Sequence, residues 1–110
     1  MPFTDFYKLP EILPPLPTEE IVEILAEDST GRIERIISWG QSSPAGFWYD
    51  QAEDEFVYLL QGQAVLDFEE GPTMLHAGEN VWIPAHRRHR LTYTSSNPPC
   101  IWLCIFSTRL

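Results

Sequence analysis

Two stretches of this 110-residue chain hold the side chains best suited to chemistry. One is Trp48-Tyr49-Asp50-Gln51 with Glu55 just beyond it; the other is His86-Arg87-Arg88-His89-Arg90. If Asp54–Leu60 is a strand, Glu55 shares a face with Val57 and Leu59, because successive strand residues point to opposite sides. His89 likewise heads a face that carries Leu91 and Tyr93. A carboxylate and an imidazole at the heads of apolar faces need a cation or several donors once buried. One divalent metal ion at a barrel mouth would satisfy both. Gln51 offers an amide oxygen and Asp50 a carboxylate as third ligand, and only one of two such neighbours faces inward. Mixed oxygen and imidazole donors suit Zn, Fe, Mn or Ni, a choice that spacing does not make. Without metal, Glu55 would pair with Arg87, Arg88 or Arg90, and His89 would be a hydrogen-bonded core histidine. His86 stands three residues from His89, so on a regular strand it would face the other way, and it reads as a turn residue.

The elements that must position these groups read as short strands between turns. Ile21–Glu27 is a strand or one short helix, and Arg32–Trp39 is a strand rich in β-branched residues. Phe47–Gln51 is short and extended. Further strands follow at Asp54–Leu60, Ala64–Phe68, Thr73–His76, Val81–Ile83, His89–Thr94 and Cys100–Phe106. Turn residues separate them: Gln61-Gly62-Gln63, Glu69-Glu70-Gly71-Pro72 and Ala77-Gly78-Glu79-Asn80. Many short strands at this spacing predict an all-β sandwich or barrel. Residues 1–20 are different. Five prolines exclude a long helix or a central strand there, and the segment reads as an irregular N-terminal arm before a barrel domain at 21–110.

Composition narrows the function. Apolar residues make up 44% of the chain, enough for one core, and the fourteen aromatic residues fall mostly within Phe47–Phe106. The net charge of −9 would repel a polyanion, which argues against nucleic acid as a partner. No apolar run approaches a membrane span, and no leader-like segment is visible at the start, so a cytoplasmic protein away from membranes is expected. Cys100 and Cys104 would lie about 13 Å apart along a strand. A disulfide needs Cα atoms within about 7 Å, so two free thiols are expected, in keeping with a reducing compartment. Two strands are apolar on both faces: Phe56, Tyr58 and Leu60 oppose Glu55, Val57 and Leu59, and Ile101, Leu103 and Ile105 oppose Trp102, Cys104 and Phe106. A barrel interior covers one face only. The other would meet the arm or a second subunit, which predicts a homodimer packed sheet to sheet.

Two segments resemble the cupin motifs. Glu55-Phe-Val-Tyr-Leu-Leu-Gln-Gly62 follows the Glu-x6-Gly half of the first motif. Gly78-Glu-Asn-Val-Trp-Ile-Pro84-Ala-His86-Arg-Arg-His89 follows the second from its Gly to its His. The paired histidine places of the first motif hold Tyr49 and Gln51, or Trp48 and Asp50 at the longer spacing. His86 stands at a motif Gly and Tyr93 at the motif Asn. The resemblance to a small single-domain cupin implies a double-stranded β-helix, or jelly-roll barrel, with Glu55 and His89 carried over as metal ligands. It also implies a metal-dependent enzyme, an oxygenase, isomerase or lyase, acting on a small anionic molecule. Tyr49, Tyr58 and Tyr93 would then be proton donors, and Arg87, Arg88 or Arg90 would hold a substrate carboxylate. The alternative is a non-catalytic cupin that binds a small ligand or serves as a structural dimer.

Overall fold

A computed structural model describes residues 5–11, 13 and 19–108. Eight strands follow one another: β1 (Ile21–Asp28), β2 (Gly31–Ser38), β3 (Asp54–Gln61), β4 (Gln63–Phe68), β5 (Gly71–His76), β6 (Asn80–Ile83), β7 (His89–Thr94) and β8 (Cys100–Ser107). They form two antiparallel sheets, one ordered β1-β2-β8-β3-β6 and the other β5-β4-β7. The fold is an all-β jelly-roll barrel. Ile21–Glu27, which the sequence left between strand and helix, is strand, paired along its length with β2. Among the described residues no helix is long and apolar enough to cross a membrane.

Period-two patterning decides what the sheets enclose. Val57 and Leu59 of β3 and Trp102, Cys104 and Phe106 of β8 point inward from the larger sheet. Ala64, Leu66 and Phe68 of β4, Leu75 of β5 and Leu91 of β7 meet them from the smaller. Each of the larger aliphatic and phenyl side chains among them stabilises the fold by about 1.5–3 kcal/mol when removed from water. The turn between β3 and β4 needs a glycine. Gly62 has φ +93°, and a Cβ there would come within 2.8 Å of the Ser95 hydroxyl and 2.9 Å of Cys100.

The regular alternation fails in β7. Leu91 stands opposite Leu66 and Tyr93 opposite Val65, so Thr92 is an extra residue and the strand bulges. The bulge turns Tyr93 out, 49% exposed, and sends Thr94 in. Tyr93 therefore does not share the inward face of His89 and Leu91, as plain alternation required.

The outer face of the larger sheet is also apolar. Ile37 and Ile101, register partners on β2 and β8, are fully buried there, whereas Phe56, Tyr58, Leu103 and Ile105 are half-buried. Residues 5–8 lie against this face. The buried Arg35 donates from one guanidinium nitrogen to the carbonyls of Asp5, at 3.0 Å, and Lys8, at 2.8 Å. Its other nitrogens hold the Glu23 carboxylate of β1. A single guanidinium thus ties the N-terminal segment, β1 and β2 together. Arg35→Met is expected to strand those acceptors and destabilise the protein by about 3 kcal/mol in urea unfolding. It should also speed tryptic cleavage after Lys8. Unchanged stability and an unchanged cleavage rate would contradict this role.

Candidate functional site

Between the two sheets the barrel keeps a cavity of about 230 Å³. Gln51, Glu55, His89 and Tyr49 stand along its wall with Glu20, Arg32 and Glu34. Backbone pairing sets the first four. Glu55 lies on β3 between Ile83 of β6 and Phe106 of β8, and its side chain turns inward, 8% exposed. Tyr49 forms an isolated bridge with His89: the Tyr49 amide donates to the His89 carbonyl at 2.7 Å, and the return bond is 3.2 Å. Two residues on, the Gln51 carbonyl accepts from the His86 amide at 2.7 Å. Tyr49 and Gln51 therefore share one side of an extended segment and both line the cavity.

His86 occupies a turn. Its φ is +64°, the left-handed region that the glycine of the second motif would adopt freely, and a β-carbon there costs about 1–2 kcal/mol. The Arg87 amide closes the turn on the Pro84 carbonyl at 3.1 Å. Outside the cavity, the His86 ring meets the Asp50 carboxylate, Nδ1 to Oδ1 at 2.7 Å. Of the two candidate third ligands, Gln51 is in the wall and Asp50 is exposed at the rim, held by His86.

His89 is 5% exposed and fixed at both ring nitrogens. Nδ1 donates to the Arg87 carbonyl at 2.9 Å, so it carries a hydrogen. Nε2 therefore faces the cavity, 3.6 Å from Glu55 Oε1. Burial works against a charged ring. The attraction of Glu55 and the bond to Arg87 outweigh it and hold the His89 pKa above its usual value. Tyr49 stacks on the imidazole with ring centroids 5.3 Å apart. The amide oxygen of Gln51 is buried and has no hydrogen-bond partner. Among the described residues no three His, Cys, Asp or Glu side chains meet as a ligand set. Gln51 offers a neutral amide oxygen on the wall of the same cavity. By donor type, one carboxylate, one imidazole and one amide oxygen make a mixed oxygen and imidazole set of the kind a divalent ion takes.

Sequence reasoning missed the rest of the wall. Arg32 donates to Glu34 at 2.7 Å and to both oxygens of Glu53 at 3.0 Å, with its guanidinium over the Phe106 ring. Glu20 accepts from the Ser38 hydroxyl, which accepts in turn from Trp102 Nε1 at 3.0 Å. Burial raises the Glu20 pKa; the Ser38 bond opposes this and the charge of Glu55 adds to it. Burial also pushes the Tyr49 hydroxyl up, helped by Glu20 and Glu55, and pushes the Cys104 thiol far up, helped by Glu55, Glu34 and Glu20. Alternation along Arg32–Ser38 was the available signal for Glu34, a carboxylate on a strand face with Ile36. Glu20 precedes β1 and belongs to no periodic pattern.

Three expectations do not survive. Arg87 pairs with Glu70, Arg90 with the carbonyls of Ser43 and Pro44, and Arg88 lies near Trp48; none lines the cavity or pairs with Glu55. Each sits on a side of the strand or turn that faces away from it. Tyr58 is on the outer face of β3, and Tyr93 is turned out by the bulge, so of the three tyrosines only Tyr49 reaches the cavity.

Known proteins resemble this architecture closely. A structure from Ralstonia eutropha JMP134, described as a candidate mannose-6-phosphate isomerase, is 36% identical, with 96% of each chain covered and a TM-score of 0.84. A cupin superfamily protein from Desulfitobacterium hafniense DCB-2 is 20% identical over 86% of this chain and 83% of its own, with a TM-score of 0.71. An RmlC-like cupin from Shewanella frigidimarina NCIMB 400 is 16% identical over 86% and 80%, with a TM-score of 0.70. No curated protein matches the sequence. The model of the cupin domain matches residues 38–106, more than half of the chain, and the match takes in Gln51, Glu55 and His89. This protein belongs to the cupin domain family.

Proposed function

We propose that the barrel binds one divalent metal ion on His89, Glu55 and Gln51 and works as an isomerase on a small hydroxycarbonyl compound. The observation that carries the reading is the facing of His89 Nε2 and Glu55 Oε1 at 3.6 Å in a cavity whose wall also holds Gln51, with its buried, unpartnered oxygen. The 36% identity to the Ralstonia protein supports isomerase chemistry over the other reactions open to a cupin. Among the described residues His89 is the one imidazole lining the cavity, which also disfavours an oxygenase, whose iron is often held by two His and one carboxylate.

When bound, the ion would supply Lewis-acid polarisation of a carbonyl oxygen. The chain supplies the rest. Moving a proton between neighbouring carbons needs one group to take and return it and another to hold a proton at the oxygen. Glu20, with a pKa raised by burial, suits the first task. Tyr49, kept protonated by burial and by two carboxylates, suits the second. The carbonyl of Arg87 holds the His89 ring in one tautomer, and the apolar walls at Val57, Leu66 and Phe106 limit water. A second reading also has an observation in its favour. A proton on His89 would satisfy Glu55 without metal, leaving a non-catalytic ligand binder.

Elemental analysis of untagged protein separates the two. Near-stoichiometric transition metal, lost in both His89→Ala and Glu55→Ala and reduced in Gln51→Ala, is expected. Protein that carries none and takes up none on addition would leave the ion pair and the binder. Glu20 yields an independent check through pH. A carboxyl whose folded pKa is raised stabilises the fold below its unfolded value, near 4.5, and that stability is lost as pH rises through the folded value. Glu20→Gln is therefore expected to match the wild type near pH 4.5 and to exceed it increasingly towards pH 7 in urea unfolding. A constant difference would contradict a buried, titrating Glu20.

A further inference from the structure

The cavity has a vestibule. β1 and β7 are edge strands of different sheets, and where they leave the barrel unclosed lies a hollow of about 450 Å³. Glu20, Val22, Tyr49 and Leu91 line both spaces, so the hollow leads to the cavity. Its outer walls add Glu19, Ser42 and Phe47. Among the described residues, no Lys, Arg or His lines it. Arg90 holds the carbonyls of Ser43 and Pro44 on the same loop and is not among the lining side chains, though its Nε is buried without a hydrogen-bond partner.

The charges already present decide what this space accepts. Arg32, the one arginine lining the cavity among the described residues, is taken up by Glu34 and Glu53, and His89 faces Glu55. Glu19 and Glu20 add carboxylates with no basic partner in the lining. A phosphate group is normally held by arginine or lysine or by a helix N-terminus, and the described residues form no helix. A phosphate ester would here meet carboxylates. A neutral hydroxyl-rich molecule fits instead, since carboxylates accept hydroxyl hydrogens. Phe47, 45% exposed, and Tyr49, 37% exposed, stand edge to face at 4.9 Å and present apolar ring surface at the entrance.

We propose that the vestibule and cavity bind an uncharged, unphosphorylated sugar or polyol, held by the carboxylates of Glu19 and Glu20 and the rings of Phe47 and Tyr49, and reject phosphate esters. This rests on reading the barrel cavity as the ligand site and gives that site a substrate class, one that differs from the phosphosugar in the name of the Ralstonia protein. The raised pKa of Glu20 agrees, because a carboxyl that can keep its proton can also donate to a hydroxyl oxygen.

Calorimetric titration with D-mannose, D-fructose and D-mannitol, each beside its 6-phosphate, tests it. At least one neutral compound should bind, with its phosphate ester weaker by about tenfold or more. Phe47→Ala, at an exposed position, should weaken the neutral ligand several-fold. Glu19→Lys, also exposed, should narrow the gap between ester and neutral compound. Equal or tighter binding of the ester overturns the proposal. So does a neutral ligand indifferent to Phe47→Ala, or no neutral binding up to roughly 0.1 M. Metal content measured on the same samples keeps the two readings apart. Metal-loaded protein that binds no neutral compound overturns the ligand class and leaves the metal site standing. Metal-free protein that binds a neutral sugar through Phe47 upholds the ligand class and removes the metal.

Discussion

A carboxylate and an imidazole buried face to face govern this barrel. Glu55 and His89 are each nearly inaccessible to water, and neither is tolerable in an apolar interior without a compensating charge. Their compensation is held by backbone. Glu55 is fixed by ladders to β6 and β8 on either side, and His89 by its bridge to Tyr49 and by the Arg87 carbonyl on its ring. The pair thus spans the gap between the two sheets without belonging to one ladder. A proton or a metal ion between them joins the sheets at a point where no backbone bond does.

The turn before β7 serves the same end. Pro84 ends β6, and the next residues must reverse direction quickly enough for His89 to enter facing inward. The left-handed conformation of His86 achieves this with a residue that carries a β-carbon, at an energetic cost. Part of the return is local: the His86 amide holds Gln51 and its ring holds Asp50. Choosing between Gln51 and Asp50 for the wall is therefore done by this turn, which captures one residue through its backbone and its neighbour through its side chain.

Much of this was legible from period-two alternation alone. Glu55 and His89 line one space because each lies on a strand whose inward face can be counted, whereas alternation left Gln51 and Asp50 open between them. Tyr93 was misplaced because one extra residue, Thr92, reverses the count, and no local residue type announces the bulge. The arginines beside His89 were misread for a different reason. Their proximity in sequence to a ligand candidate says nothing about direction, and Arg87 and Arg90 go to Glu70 and to the Ser43–Pro44 carbonyls. Glu20 was illegible. It lies before the first strand in a proline-rich segment, and its place in the wall depends on Ser38 and Trp102, both distant in sequence.

The unequal sheets explain why such a site has an entrance. Five strands face three, so the larger sheet overhangs the smaller, and the inner face of β1 finds no strand opposite it. Val22 and Ile24 remain exposed as a result. A fourth strand in the smaller sheet, beside β7 and opposite β1, would bury them and seal the cavity. The exposed apolar residues of β1 and the hollow beside Glu20 are thus two consequences of one missing pairing. Glu19 and Glu20 line that same opening, so a ligand entering by this route would pass two carboxyl groups before it reached His89.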